Sequence, residues 1–221
     1  MSDSLTGERE VAVGSDPALQ GVLAFPAEAP RGVVLFAHGS GSSRHSPRNQ
    51  YVAAALREGG CATLLLDLLT PGEERDAALR FDTVLLAGRL DSACEWLRMQ
   101  PETEQLAIGL FGASTGAGAA LRLAAERPGD IAAVVSRGGR PDLAGTAALG
   151  RVAAPVLLIV GGHDGEVIRL NEEAAAAMRC PHELAIVPGA THLFEEAGAL
   201  ERVGVLARDW FARHLTRLLP P

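Results

Sequence analysis

A serine lies at a tight turn between a predicted strand and a predicted helix. Residues 112–116 read Gly-Ala-Ser-Thr-Gly, after the apolar run 106–111 and before an Ala- and Leu-rich segment. Small residues two positions before and after Ser114 let strand and helix pass closely, while Ser114 takes a strained conformation. Its hydroxyl then stands clear of the sheet, beside helix N–H groups that favour a developing negative charge. This pattern indicates a nucleophile, and the alternative is a small-residue turn with Ser114 as helix N-cap.

A serine nucleophile needs a base within hydrogen-bond reach and a third group that orients that base. Four histidines follow Ser114 in the chain. His192 is the candidate base, because it lies in the loop after the last predicted strand. His182 comes before that strand, His214 falls on the closing helix, and His163 lies next to the candidate acid. The alternative for His192 is an ordinary turn histidine.

The acid that would orient His192 is expected after the preceding strand. Residues 161–167 read Gly-Gly-His-Asp-Gly-Glu-Val, which places Asp164 at the carboxyl end of the predicted strand 156–160. Glu166 is a nearby competitor, and Asp164 could instead be the N-cap of the next helix. Ser114, Asp164 and His192 follow one another in the order typical of one family of serine hydrolases.

Composition and charge exclude several other classes of protein. The chain has 221 residues, a formal net charge of −7 and three widely spaced cysteines. The acidic balance argues against nucleic acid and anionic membranes as partners. The cysteine spacing predicts neither a metal site nor a disulfide framework. The polar N-terminus does not resemble a signal peptide, and no apolar run approaches a membrane span, so we expect a cytoplasmic protein.

Strand and helix patterns alternate along the whole chain. Apolar strand patterns occupy 8–13, 20–25, 33–37, 61–66, 106–111, 131–135, 156–160 and 184–187, and helical patterns occupy 51–58, 82–99, 114–126, 167–178 and 200–215. In helix 82–99, Val84 and Leu85 are expected to face the core. This alternation predicts an α/β fold with a mainly parallel sheet of about eight strands and helices on both faces. We expect a single domain over 1–221, with 1–7 as a flexible N-terminal segment.

The three segments around Ser114, Asp164 and His192 resemble those of α/β-hydrolases, in the dienelactone hydrolase-like branch. The resemblance covers the chain from the first strand pair to the closing helix, and it implies an α/β-hydrolase fold. Only 136–154 lies between two successive strands where relatives insert a cap, so no cap domain is expected. Dienelactone hydrolases proper carry a cysteine nucleophile, and the serine here favours a general serine esterase.

Two backbone N–H groups would stabilise the oxyanion that forms during attack on an ester. One is the N–H of Thr115, which follows the nucleophile. The resemblance implies that the second comes from just past His38 and Gly39, which assigns it to Ser40. No metal or cofactor is required for this chemistry.

Basic side chains concentrate in loops at the predicted carboxyl edge of the sheet. They are Arg44, His45, Arg48, Arg137 and Arg140. Arginine binds carboxylate or phosphate with a two-pronged fork. These residues could therefore hold an anionic group of the substrate, and the alternative is pairing with acidic residues of the chain.

The sequence thus predicts an esterase that acts on a small-molecule ester, and the basic loops leave an anionic ester open as its substrate. Acyltransferase, thioesterase or amidase activity would use the same three residues. A non-catalytic small-molecule binding protein is an alternative of another class. The sequence leaves a monomer and a homodimer equally open.

Overall fold

The computed structural model describes residues 7–215. All but Gly7 of the segment expected to be flexible, 1–7, lies outside the described residues. The chain alternates strands and helices as its apolar pattern predicts. The strands are β1 (Glu8–Val13), β2 (Leu19–Ala24), β3 (Val33–Ala37), β4 (Ala62–Leu66), β5 (Ile108–Ala113), β6 (Ile131–Arg137), β7 (Val156–Gly161) and β8 (His182–Val187). The helices are α1 (Pro47–Glu58), α2 (Thr83–Arg98), α3 (Thr115–Glu126), α4 (Thr146–Leu149), α5 (Gly165–Ala177) and α6 (Ala199–His214).

The eight strands form one sheet in the order β1-β2-β4-β3-β5-β6-β7-β8. β1 and β2 pair antiparallel, and β2 pairs antiparallel with β4. All other neighbours are parallel. The carboxyl ends of β3, β5, β6, β7 and β8 therefore meet at one edge, where ligands bind in open α/β sheets. This is an α/β-hydrolase fold.

Helices cover both faces of the sheet. α2, α3, α4 and α5 pack over one apolar layer, and α1 and α6 pack over the other. Between β6 and β7 the described chain holds only a short 3-10 turn, Pro141–Ala144, and the four-residue α4, so it has no cap domain. Among the described residues, no helix is long and apolar enough to span a bilayer.

Several element ends differ from the sequence-based expectation. α1 begins at Pro47 rather than at residue 51, because Ser46 caps it and proline suits the first helical position. Val84 is 60% exposed, contrary to expectation, and Leu86 is buried instead. The difference that matters most is at β6, which extends to Arg137. Arg137 is thus the last residue of a strand and not part of a loop.

Candidate active site

Ser114 sits in the sharp turn between β5 and α3. Its backbone has φ 50° and ψ −120°, a conformation that non-glycine residues rarely adopt. A Cβ on Gly116 would lie 2.3 Å from the Ala37 carbonyl oxygen, and one on Gly112 would lie 2.4 Å from the Ala117 Cα. Both positions therefore need glycine. Ser114 occupies the N-cap position of α3, as the alternative expected, but its side chain makes no capping hydrogen bond, which leaves the hydroxyl available.

The end of β6 holds the strained serine by both of its main-chain groups. The Ser114 N–H donates to the Arg137 carbonyl at 3.1 Å, and the Arg140 N–H donates to the Ser114 carbonyl at 3.0 Å. Strained backbone persists where its surroundings over-determine it. These two bonds meet that requirement from one neighbouring segment.

The candidate acid and base contact each other across two loops. The distance from His192 Nδ1 to Asp164 Oδ2 is 2.6 Å. The Asp164 side chain is 16% exposed and the imidazole 39%. With its proton on Nδ1 directed at the carboxylate, the ring keeps Nε2 unprotonated and able to accept a proton.

The competing residues lie elsewhere. Glu166 and His163 are exposed, and the carboxylate that His192 contacts is that of Asp164. His182 begins β8 and contacts the Cys180 carbonyl, away from the carboxyl edge. His214 lies on α6, and its ring centroid is 4.5 Å from that of Trp210.

Backbone contacts join the loops that carry Asp164 and His192. The His163 N–H donates to the Ala190 carbonyl at 2.9 Å, and the Gly162 N–H donates to the Val187 carbonyl at 2.8 Å. Gly161 permits this approach, since a Cβ there would lie 2.5 Å from the Ala190 oxygen. Main-chain hydrogen bonds between the two loops therefore set the separation of Asp164 and His192.

The turn that presents His192 is closed by a carboxylate. Glu196 accepts from the Thr191 hydroxyl at 2.6 Å and from the Thr191 N–H at 3.1 Å. The hydroxyl bond from Thr191 holds the pKa of Glu196 below its ordinary value. The Phe194 N–H donates back to the Thr191 carbonyl, and Phe194 itself is buried. No pattern in the sequence signals this role of Glu196.

Ser114 and His192 approach the same end of β6 from opposite sides. Ser114 bonds the Arg137 carbonyl, and a Cβ on the next residue, Gly138, would lie 3.5 Å from His192 Cε1. Within residues 7–215, the Ser114 hydroxyl has no hydrogen bond to His192. Catalytic hydrogen bonds are often long in free enzymes and shorten when substrate binds.

The predicted oxyanion donors flank Ser114. A Cβ on Gly39 would lie 3.1 Å from Ser114 Cβ, which brings the following residue, Ser40, beside the nucleophile. Thr115 is the first residue of α3. In the described part of the chain, neither the Ser40 nor the Thr115 N–H has a hydrogen-bond partner. Two unpaired amides beside a nucleophile can bind an oxyanion.

A buried histidine, which the sequence analysis did not single out for a role, fixes the loop that carries Ser40. His38 Nε2 accepts the Leu68 N–H at 3.0 Å, and Nδ1 lies 2.9 Å from the Gly39 carbonyl. Because Nε2 accepts, the proton is on Nδ1 and the ring is neutral. His38 thereby holds the loop after β3 against the end of β4.

Comparison with known proteins shows the family of this chain. The family model described as "Dienelactone hydrolase family" matches residues 19–203. The chain belongs to the dienelactone hydrolase family. A solved structure of dienelactone hydrolase from Anabaena variabilis is 54% identical, with a TM-score of 0.90, and the match covers 95% of this chain and 99% of that one.

More distant members of the fold and one longer relative add context. Est1E from Butyrivibrio proteoclasticus has a TM-score of 0.80 at 14% identity, covering 92% of this chain and 98% of that one, which shows the fold alone. A Mycobacterium tuberculosis protein provisionally named phosphoribosyl transferase is 58% identical over 94% of this chain. The match covers only 47% of that protein, so the dienelactone hydrolase-family chain spans about half the length of this relative.

Most of the basic residues at the carboxyl edge have carboxylate partners. The pairs are Arg44 with Asp67, Arg140 with Asp142, and Arg48 with Glu195. Arg140 contacts both oxygens of its partner, at 2.8 and 2.7 Å, and His45 is exposed. Arg137 differs from these, since it is buried and its Nε and Nη1 have no hydrogen-bond partner. Residues 7–215 bring together no cluster of three side chains that could hold a metal ion.

Proposed function

We propose that this dienelactone hydrolase-family chain is a serine hydrolase that cleaves small carboxylic esters through an acyl-enzyme. The observation that carries the proposal is the 2.6 Å contact between His192 and Asp164, at the sheet edge where the strained turn presents Ser114. Serine, base and orienting acid in this arrangement define nucleophilic acyl transfer.

The proposed reaction has two halves. His192 Nε2 takes the proton of Ser114 Oγ as that oxygen attacks the ester carbonyl, and the oxyanion binds the Ser40 and Thr115 N–H groups. His192 then protonates the departing alcohol, and the acyl group stays on Ser114. Water attacks the acyl-enzyme with His192 again as base, and the carboxylic acid leaves. Asp164 orients the imidazole and stabilises its charged form throughout.

The short connection between β6 and β7 affects which substrates can reach Ser114. Because the described chain has no cap over Ser114, the proposed cleft is open and suits small or surface-presented esters. Acyltransferase, thioesterase and amidase activities use the same groups, and only the acceptor or leaving group differs. The Mycobacterium tuberculosis relative is about twice the length of this chain. The activity of a protein of that full length, which its name describes, would be a separate proposal.

The setting of the enzyme belongs to the same proposal. All three cysteines are buried and free, which suits a reducing compartment, and we place the enzyme in the cytoplasm. It would act without metal or cofactor, as a monomer or homodimer, with no nucleic acid or membrane as partner.

Labelling with a fluorophosphonate probe tests the proposal. Wild type should be labelled and should hydrolyse p-nitrophenyl acetate with a burst, and Ser114→Ala should lose labelling and at least about 10⁴-fold in kcat. Ser15→Ala, at an exposed serine in the turn between β1 and β2, is the matched control and should behave as wild type. An unlabelled wild type would reject the serine mechanism and favour a binding protein, and a labelled Ser114→Ala would show that another residue is the nucleophile. Added methanol distinguishes an acyltransferase, which would form mainly the methyl ester.

A further inference from the structure

Arg137 is a buried cation without a counter-ion. Arg137 is only 8% exposed, and its Nε and Nη1 have no hydrogen-bond partner. No carboxylate within residues 7–215 forms an ion pair with it. Burial, together with a smaller effect of the like charge of Arg48, lowers the pKa of Arg137 to about 10. An arginine kept in this environment costs stability that a carboxylate partner or an aliphatic residue would restore.

The position of Arg137 links this cation to the nucleophile. It is the last residue of β6, and its own carbonyl accepts the Ser114 N–H. Val135, two residues earlier on the same strand face, belongs to the layer under α1 and α6, so the guanidinium lies on that side of the sheet. There it lies 6.0 Å from the centre of the Phe194 ring, two residues beyond His192.

The neighbouring end of α1 adds positive potential and further unpaired groups. Ser46 caps the helix, and its first turn contains no acidic residue. The positive end of the helix dipole is therefore uncompensated there. Arg48 Nε, in this turn, is buried without a partner, although Arg48 Nη1 holds Glu195 at the surface. Asn49 Oδ1 is also buried and unpaired, but as an acceptor it calls for a donor and is no part of an anion site. A ligand that neutralises this region must be an anion.

We propose that Arg137, assisted by Arg48, binds an anionic group of the ester, a carboxylate or a phosphate, on the α1 side of Ser114. The proposal deepens the proposed esterase function and rests on it for the identity of the substrate. Arg44 and Arg140 take no part, since carboxylates of the chain already occupy them.

Matched esters test the proposal in Arg137→Met and in the control Arg151→Met, which removes an exposed arginine bound only to the Ala147 carbonyl. The substrates are mono-p-nitrophenyl glutarate and its methyl ester, 4-acetoxybenzoate and its methyl ester, and 4-acetoxyphenyl phosphate. Wild type should prefer at least one anionic ester over its neutral partner. Arg137→Met should lose about 10- to 100-fold in kcat/KM for that ester, and less than about threefold for the neutral one. The preferred anion identifies carboxylate or phosphate.

Stability distinguishes ligand binding from a structural role. If Arg137 serves only the anion, Arg137→Met should melt at or above the wild-type temperature, and Arg137→Lys should keep part of the anion preference. Equal loss on both members of a pair, or wild type without any preference, would overturn the subsite while fluorophosphonate labelling still supports the esterase. If labelling itself fails, thermal shifts with glutarate and inorganic phosphate decide: a shift in wild type that Arg137→Met lacks supports the subsite, and its absence overturns it.

Discussion

Replacing Gly161 with alanine should displace the base of the candidate site without changing any group that takes part in the chemistry. Gly161 ends β7, and the loop after β8 crosses it closely enough that a Cβ would lie 2.5 Å from the Ala190 oxygen and 2.6 Å from the Thr191 oxygen. Main-chain oxygens cannot rotate away as a side chain can. The substitution therefore requires the loop that carries His192 to retreat.

The size of the retreat follows from these distances. Ordinary contact with a Cβ begins at 3.4 Å, so the Ala190 oxygen must move by about 0.9 Å, which is 3.4 minus 2.5. His192 is two residues further along the same turn, and it should move by a similar amount from Asp164. A displacement near 1 Å can cost about 100-fold in rate. Overpacking of this kind costs about 1–3 kcal/mol in the free energy of unfolding.

The assay is kcat/KM for p-nitrophenyl acetate, measured well below the melting temperature and alongside fluorophosphonate labelling. Gly161→Ala should lose about 30- to 100-fold and melt about 2–4 °C lower for each kcal/mol lost. Gly165→Ala is the control, because a Cβ there meets nothing within 4 Å although it adjoins Asp164. The reasoning fails if Gly161→Ala keeps kcat/KM within threefold of wild type, or if Gly165→Ala loses as much.

Three further outcomes follow from contacts around the site. His38→Gln should lower kcat about 10-fold or more with KM little changed, because the loop that positions the proposed oxyanion donor Ser40 loses its hydrogen bond to Leu68. Steady-state kinetics would measure this change. The hydrogen bonds from Thr191 keep the pKa of Glu196 low. The contact by which Glu196 closes the turn that carries His192 should therefore be present above the ordinary carboxyl pKa and be lost as the pH falls through the lowered value. Glu196→Gln should weaken this contact and change the pH–rate profile, and a profile identical to that of wild type would contradict the prediction. Burial raises the pKa of Cys61 to about 11 and of Cys94 to about 12, and it also raises the pKa of Cys180. Iodoacetamide at pH 8 should therefore alkylate none of the three and leave activity unchanged, and mass spectrometry of the intact protein beside an activity assay can verify this.

The α/β-hydrolase fold could be predicted because alternating strand and helix patterns admit few topologies. The same reasoning brought Ser114, Asp164 and His192 to one edge, since parallel strands end at the same side of the sheet. The structure places Asp164 and His192 in direct contact. Strand ends were less predictable: the polar pair Ser-Arg at 136–137 does not continue an apolar pattern, yet β6 includes both residues because β5 and β7 pair with them.

Side-chain partners across the fold could not be predicted. Arg44 pairs with Asp67 only because the loops after β3 and β4 meet, whereas Glu196 bonds Thr191 within one loop whose conformation no sequence pattern specifies. Local spacing offers Arg140 its partner Asp142 two residues away, but nothing in it shows that Arg137 is left without one. The positioning role of His38 was missed for the same reason, since its partner Leu68 follows a different strand.

Two unfavourable features lie at the ends of two neighbouring strands, β5 and β6. Ser114 has a strained backbone, and Arg137 carries a buried charge without a counter-ion, yet the two are joined by a main-chain hydrogen bond. Each feature by itself lowers the stability of the fold, and such departures from the usual rules of local structure are common at functional sites. In the proposed mechanism, the strain presents the Ser114 hydroxyl. If the charge has a function as well, removing it should raise stability and narrow the substrate range together, a combination that a purely structural arginine would not produce.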